Sequence, residues 1–237
     1  MAKKANFINQ NDKENNNEVI KNWREGDLIQ TFKIIPIRNR KTTLMEEWLN
    51  APKITLDIAE KTVFDKILKR AVSDISGWNE EDLKMKFIAY ILDLGLMNEG
   101  VGIVSYFDKT ISANVEGTKL VVKSDFMLAK GILDAFRTPY FHFQEYKPNK
   151  NPKGDPMAQL LEAFLIAQVK NKNDKYSDKP LYGVEVIGEN WKFVVMEKKE
   201  YCISKAYNAI IEEDLLEIIA ILRKFKEILV ERLFEKD

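Results

Sequence analysis

The segment Met157 to Val169 (MAQLLEAFLIAQV) is apolar almost all round, and no other stretch limits the possible folds so tightly. A helix without a polar face has to be covered on several sides, so it belongs inside a layered structure and not on a surface. Asp155-Pro156 ahead of it marks a helix start, where proline is tolerated. The neighbouring segments read as strands. Val101 to Phe107 and Ile111 to Val115 are short apolar or alternating runs, Glu116-Gly117 is a turn signal, and Lys119 to Leu128 is a second strand ending near Gly131. Pro139 starts the run YFHFQEYK, which closes at Pro148. Leu181 to Ile187 and Trp191 to Met196 form a predicted hairpin around Gly188-Glu189-Asn190.

Helical patterns flank these strands. Thr43 to Leu49 and about Ile54 to Ile75 precede them. At Asn79 a good N-cap is followed by Glu80, Glu81 and Asp82, where the helix dipole favours negative charge. The stripe Leu83, Phe87, Ile91 and Leu94 then runs to a stop at Gly95, and Ile210 to Phe234 is a long amphipathic helix. The order helix, strands, buried helix, strand pair, helix predicts an α/β fold: a mixed β-sheet with helices on its faces. Residues 1–30 are polar and Asn-rich and read as a flexible arm. Residues 31–76 form an N-terminal helical extension, in which Phe32 to Ile37 is an edge strand or an extended docking piece. Residues 77–237 form the α/β core with its C-terminal helix.

Composition excludes several kinds of chemistry. The 237 residues suit one large domain or a domain with an extra lobe. The lone histidine, His142, excludes two-histidine sites, and the lone cysteine, Cys202, excludes an internal disulfide or a cysteine-clustered zinc. One cysteine fits a reducing compartment, so a cytoplasmic location is the default expectation. No run approaches the roughly 20 apolar residues of a membrane span. The lysines at the start precede no apolar run, so no secretory signal is read there. The 37 basic and 37 acidic residues cancel, which removes composition as an argument for nucleic acid without excluding it.

Strand alternation places Phe141, Phe143, Glu145 and Lys147 on one face of the run YFHFQEYK. An apolar strand therefore ends by presenting a carboxylate and an ammonium side by side, which is expensive unless they are paired or used. Asp125 is likewise embedded in the apolar strand KLVVKSDFML. Two carboxylates converging from neighbouring strands make a hard oxygen site suited to Mg²⁺. A lysine beside them can orient water and stabilise charge on a phosphate. The same acidic-x-Lys pattern recurs at Asp82/Lys84, on a helix, and at Glu197/Lys199, in a charge run. An internal salt bridge or a solvated strand end would give the same residues in the same order, and the pattern alone leaves these readings open.

The segments NEEDLKMKFIAYILDLG, KSDFML, YFHFQEYK and DPMAQLLEAFLIAQ, taken in that order, resemble the PD-(D/E)xK nuclease superfamily over about half the chain. The resemblance implies a restriction-endonuclease-like core, with Asp125 and Glu145 as metal ligands and Lys147 as the catalytic lysine. It also implies an acidic residue on the first helix and a glutamine on the helix after the motif strand. Glu80 and Glu81 compete for the first position. Glu80 shares the inward stripe with Leu83 and Phe87, whereas dipole compensation alone would account for both. Gln159 matches the second position, and a solvent-facing residue of the first turn is the alternative. Ser124 stands where the family's proline often precedes the aspartate.

The expectation is a nuclease that uses Mg²⁺ or Mn²⁺ to hydrolyse phosphodiester bonds in DNA, with nucleic acid as partner and no membrane association. A nuclease-fold protein that binds nucleic acid or a protein partner without cutting is the alternative, and a scaffold with an internal ion-pair cluster is a third reading. Lys119, Lys123, Lys130, Lys150 and Lys153 either touch phosphates or form a solvated basic edge. His142, Trp78 and Trp191 are expected to pack in the core.

Overall fold

The computed structural model describes residues 22–38, 40–98, 102–133, 135–150, 153–172, 177 and 179–233. Residues 1–21 of the expected arm lie outside these. Helices α1 (Glu25–Phe32), α2 (Thr43–Leu49) and α3 (Ile58–Asp74) come first, with strand β1 (Ile35–Ile37) between α1 and α2. Helix α4 (Glu80–Leu83) runs through a π-turn (Lys84–Ile88) into α5 (Ala89–Leu94). Strands β2 (Ile103–Val115), β3 (Thr118–Ile132) and β4 (Ala135–Lys147) lead to α6 (Pro156–Asn171). Strands β5 (Leu181–Ile187), β6 (Asn190–Glu197), β7 (Glu200–Ile203) and β8 (Tyr207–Asn208) precede α7 (Glu212–Ile228).

Among the described residues, eight strands form one mixed sheet in the order β1-β7-β6-β5-β4-β3-β2, with β8 against β6. The pairs β1–β7 and β4–β5 are parallel and the others antiparallel. Each face of the sheet carries its own core. On one, α2, α3, α4–α5 and α7 pack Trp48, Phe64, Phe87, Ile91, Ile218 and Phe225 against Phe126, Tyr146 and Phe193. On the other, α6 with Leu28 and Phe32 of α1 covers Met127, Phe143 and Val194. The α/β architecture read from the sequence is the one observed. Among the described residues, no helix is long and apolar enough to cross a membrane.

Helix α6 is buried along most of its length, from Pro156 to Ala167 with Gln159 half-buried, because it bridges β4 and β5 under α1. Asp155 caps its start by accepting the Ala158 N–H at 3.0 Å. Near its end, the Asn171 side chain makes two hydrogen bonds, both 2.9 Å, with the backbone of Tyr140 in β4.

Several expected boundaries are corrected. Residues 25–30 of the predicted arm belong to α1, because Leu28 and Phe32 lie one turn apart and bury their side chains. The segment 54–57 is not helical: α3 begins only after Asp57, whose carboxylate accepts the Glu60 N–H while Glu60 accepts the Asp57 N–H. The two runs predicted before Glu116 are one 13-residue strand, β2. Strand β4 begins at Ala135, ahead of Pro139. The final helix starts at Glu212, not at Ile210, after a turn in which Asp214 accepts the Asn208 N–H at 2.7 Å. Phe141 does not share a face with Phe143. The β3–β4 register steps from Leu128↔His142 to Ala129↔Tyr140, leaving Phe141 in a bulge that turns it into the opposite core.

Strand β5 lies directly beneath α6 at Gly183. A Cβ there would sit 2.7 Å from both Leu160 Cδ1 and Phe164 Cζ and 2.9 Å from the Phe143 carbonyl oxygen. Gly183→Ala should therefore destabilise the protein by about 1–3 kcal/mol, the usual cost of overpacking, measured by urea denaturation with an unchanged m-value.

Candidate active site

Asp125 and Glu145 occupy neighbouring strands where β3 and β4 part. The last β3–β4 pair is Phe126↔Gln144, and beyond it Glu145, Tyr146 and Lys147 pair only with β5. The Tyr146 N–H, freed from the ladder, donates to Asp125 Oδ2 at 2.8 Å. Asp125 is thereby fixed by its neighbour's backbone while only 6% exposed. Alternation from Met127 and Phe143 places Asp125 and Glu145 on the same side of the sheet.

Helix α4 brings a third carboxylate. Asn79 caps it by accepting the Asp82 N–H, which aims Glu80 at the parting strands. Lys147 Nζ lies 3.6 Å from Glu80 Oε2 and 3.9 Å from Asp125 Oδ2, and it donates to the Tyr146 carbonyl at 3.0 Å. Glu81 is exposed and joins none of these pairs among the described residues. The geometry thus gathers Asp125, Glu145, Lys147 and Glu80.

Gln159 is placed differently. It lines a cavity of about 350 Å³ with Trp23, Lys123, Lys153, Asp155 and Glu162. Its Oε1 is buried with no hydrogen-bond partner among the described residues, and no hydrogen bond links it to Asp125, Glu145 or Lys147.

Three participants were missed from the sequence. Lys84 Nζ contacts Asp125 Oδ1 at 2.7 Å, Glu80 Oε1 at 3.0 Å and Asp108 Oδ1 at 3.5 Å. Its signal was present, since Glu80 and Lys84 are i, i+4 partners on one helix face. Asp108 sits in the left-handed region at φ 53°, which breaks the β2–β3 ladder opposite Asp125, and it also pairs with Lys123 at 3.1 Å. Glu185 is the β5 residue in register with Glu145, and it pairs across β6 with Lys192 at 2.9 Å. A carboxylate inside the apolar run LYGVEVI is the same signal that marked Asp125.

Glu145 is the least compensated of these groups. It is fully buried, and neither oxygen has a hydrogen-bond partner among the described residues. Burial, then the negative charge of Asp125, push its carboxyl well above the usual carboxylate range, against the opposing pull of Lys147. For Lys84, burial works against the charge, but the hydrogen bond and charge of Asp125, followed by those of Glu80, outweigh it and raise the pKa. Among the described residues, no group of three or more His, Cys, Asp or Glu side chains is arranged to hold a metal ion. Mg²⁺, however, is commonly held through one or two carboxylates with water and substrate phosphate completing its shell. Asp125 and the orphaned oxygens of Glu145 fit that requirement.

On the opposite side of β4, Tyr146 Oη donates to Gln144 Oε1 at 2.7 Å, and Gln144 Nε2 lies 2.8 Å from His142 Nε2. The histidine therefore accepts at Nε2. Burial lowers its pKa to about 3, so it stays neutral among Trp48, Phe126 and Phe225. His142 is a core residue, as expected. Trp78 and Trp191 are buried too, and Cys202 is buried with its thiol 3.7 Å from the Arg40 carbonyl.

No family model matches this chain, and no curated protein matches it. Among solved structures, it is similar to a DrdV–DNA complex determined by cryo-EM, with a TM-score of 0.38 and 16% sequence identity. The match covers 69% of this chain, which spans 14% of the DrdV chain.

The cavity that Gln159 lines holds a titratable group of its own. Burial raises the Glu162 carboxyl to about 7, against the Val121 N–H that donates to its Oε1 at 3.1 Å. An acid whose folded pKa is raised gives stability that is complete below its unfolded value, near 4.5, and lost as pH rises through about 7. Glu162→Gln keeps an acceptor for Val121 and removes the ionisation. Between pH 5 and pH 8 the wild type should lose on the order of 1–3 kcal/mol of stability relative to this variant, measured by denaturant titration at each pH.

Proposed function

We propose that this protein is a divalent-ion-dependent nuclease that hydrolyses phosphodiester bonds in DNA. The observation that carries the reading is the convergence of Asp125 and the unpartnered Glu145 where two strands part, with Lys147 alongside. The order of the sequence motifs, which resembles the PD-(D/E)xK superfamily, supports the same reading.

In this proposal Asp125 and Glu145 would hold Mg²⁺ or Mn²⁺, with Glu80 binding directly or through water. The ion supplies Lewis-acid stabilisation of the negative charge that develops on the phosphate. Lys147 positions the attacking water and adds positive charge at the same place. Its contact with the Tyr146 carbonyl holds the ammonium at the strand end. Burial raises the Glu145 carboxyl, so holding a cation there would favour its deprotonated form.

One observation favours a second reading, a nuclease-fold protein that binds nucleic acid or a protein partner without cutting: Lys84 already neutralises Asp125 and Glu80. Calorimetry with Mn²⁺ and cleavage of a DNA duplex separate the two. Asp125→Asn and Glu145→Gln should each abolish Mn²⁺ binding and cleavage. Lys147→Ala should keep Mn²⁺ affinity within about threefold while cleavage falls on the order of 10²–10³-fold, the usual size of a lost charge-stabilising donor. Wild-type protein that binds Mn²⁺ but cuts neither duplex nor single-stranded DNA supports the non-catalytic reading.

A further inference from the structure

We infer that Lys84 is a tethered counterion that competes with the divalent ion for Asp125 and so sets the ion concentration at which the site loads. This rests on the reading of Asp125 and Glu145 as metal ligands. Of the two Asp125 oxygens, Oδ2 already accepts the Tyr146 N–H, whereas Oδ1 is the one held by Lys84 at 2.7 Å. In this inference the incoming cation takes that same oxygen, the one not tied to the backbone. Two positive charges within a few ångströms of one carboxylate oxygen repel strongly in so little solvent, because Asp125 and Lys84 are 7% and 15% exposed. The ion and the ammonium therefore exclude each other at Oδ1.

The backbone is shaped around this residue. The π-turn begins at Lys84, whose N–H is shared between the Glu80 and Glu81 carbonyls. Such one-turn widenings concentrate at functional positions. Lys84 also has somewhere to go. Asp108, more exposed and 3.5 Å from Nζ, can keep the ammonium paired after Oδ1 is surrendered, and its left-handed backbone turns it towards the helix. Lys123, which also pairs with Asp108, makes no ion pair with Asp125 among the described residues and so serves as the control.

Isothermal titration with Mn²⁺ tests this on the full chain. Lys84→Met should bind Mn²⁺ about tenfold or more tightly than wild type, and Lys84→Arg should stay within about twofold, because it keeps the charge. Without metal, Lys84→Met should melt at a lower temperature than wild type and gain more on adding Mn²⁺. An unchanged or weaker affinity in Lys84→Met, with binding abolished in Asp125→Asn, overturns the competition and leaves the ligand assignment standing. An equal gain in Lys123→Met also overturns it, since a general field effect would then suffice. No Mn²⁺ binding in any of these proteins, Lys84→Met included, overturns the ligand assignment itself.

A measurement on the wild type removes dependence on the folding of the variants. Lysine acetylation by acetic anhydride, read by mass spectrometry, should rise severalfold at Lys84 when Mg²⁺ is added, with exposed Lys61 unchanged. Equal labelling of Lys84 with and without Mg²⁺, in protein shown to bind the ion, rejects the competition.

Discussion

The hydrogen bond from the Tyr146 backbone to the Asp125 carboxylate is the contact on which the candidate site rests. It takes the place of a ladder bond where β3 and β4 separate, so one side chain closes the sheet and faces the opening. A buried backbone N–H left without an acceptor would be costly, which makes the position of Asp125 a requirement of the sheet as much as of the site. Glu145 follows from the same geometry. Once β4 is paired only with β5, its side chain lies beside a carboxylate that is already engaged and receives no donor of its own.

Charge around this opening is balanced locally. Asp125, Glu80 and Asp108 surround Lys84, Lys123 holds Asp108 from outside, and Lys147 stands between Glu80 and Asp125. The exposed Lys123–Asp108 pair contributes little to stability. The Lys84–Asp125 pair is different, because removing either partner leaves an uncompensated charge in a largely dehydrated place. The chain's overall neutrality therefore says little about this region, where the signs alternate over a few ångströms.

The layered fold was legible because its strongest signals are local. The apolar α6 had to be interior, and the capped start at Asn79 needed only a few neighbouring residues to be read. Asp125, Glu145 and Lys147 stood out because each interrupts or ends an apolar strand. What could not be read was set by distant contacts. The bulge at Phe141 comes from β3–β4 register, and α1 is helical because its Leu28 and Phe32 find the core beside α6. Gln159 shares its cavity with Trp23 and Val121, which lie far away along the chain. For Lys84 the i, i+4 spacing to Glu80 was in the sequence, but the contact with Asp125 that gives it a role joins a helix to a distant strand.

That widened turn divides the helix between two tasks. Glu80 and Lys84 at its beginning face the parting strands, while Phe87 and Ile88 late in the turn and Ile91 and Leu92 after it are committed to packing against α3 and α7. The extra residue offsets the rotational phase of one half from the other. A change in length within this turn would thus re-aim the charged end while leaving the greasy end seated, so the helix can be tuned at its ionic end without rebuilding its support.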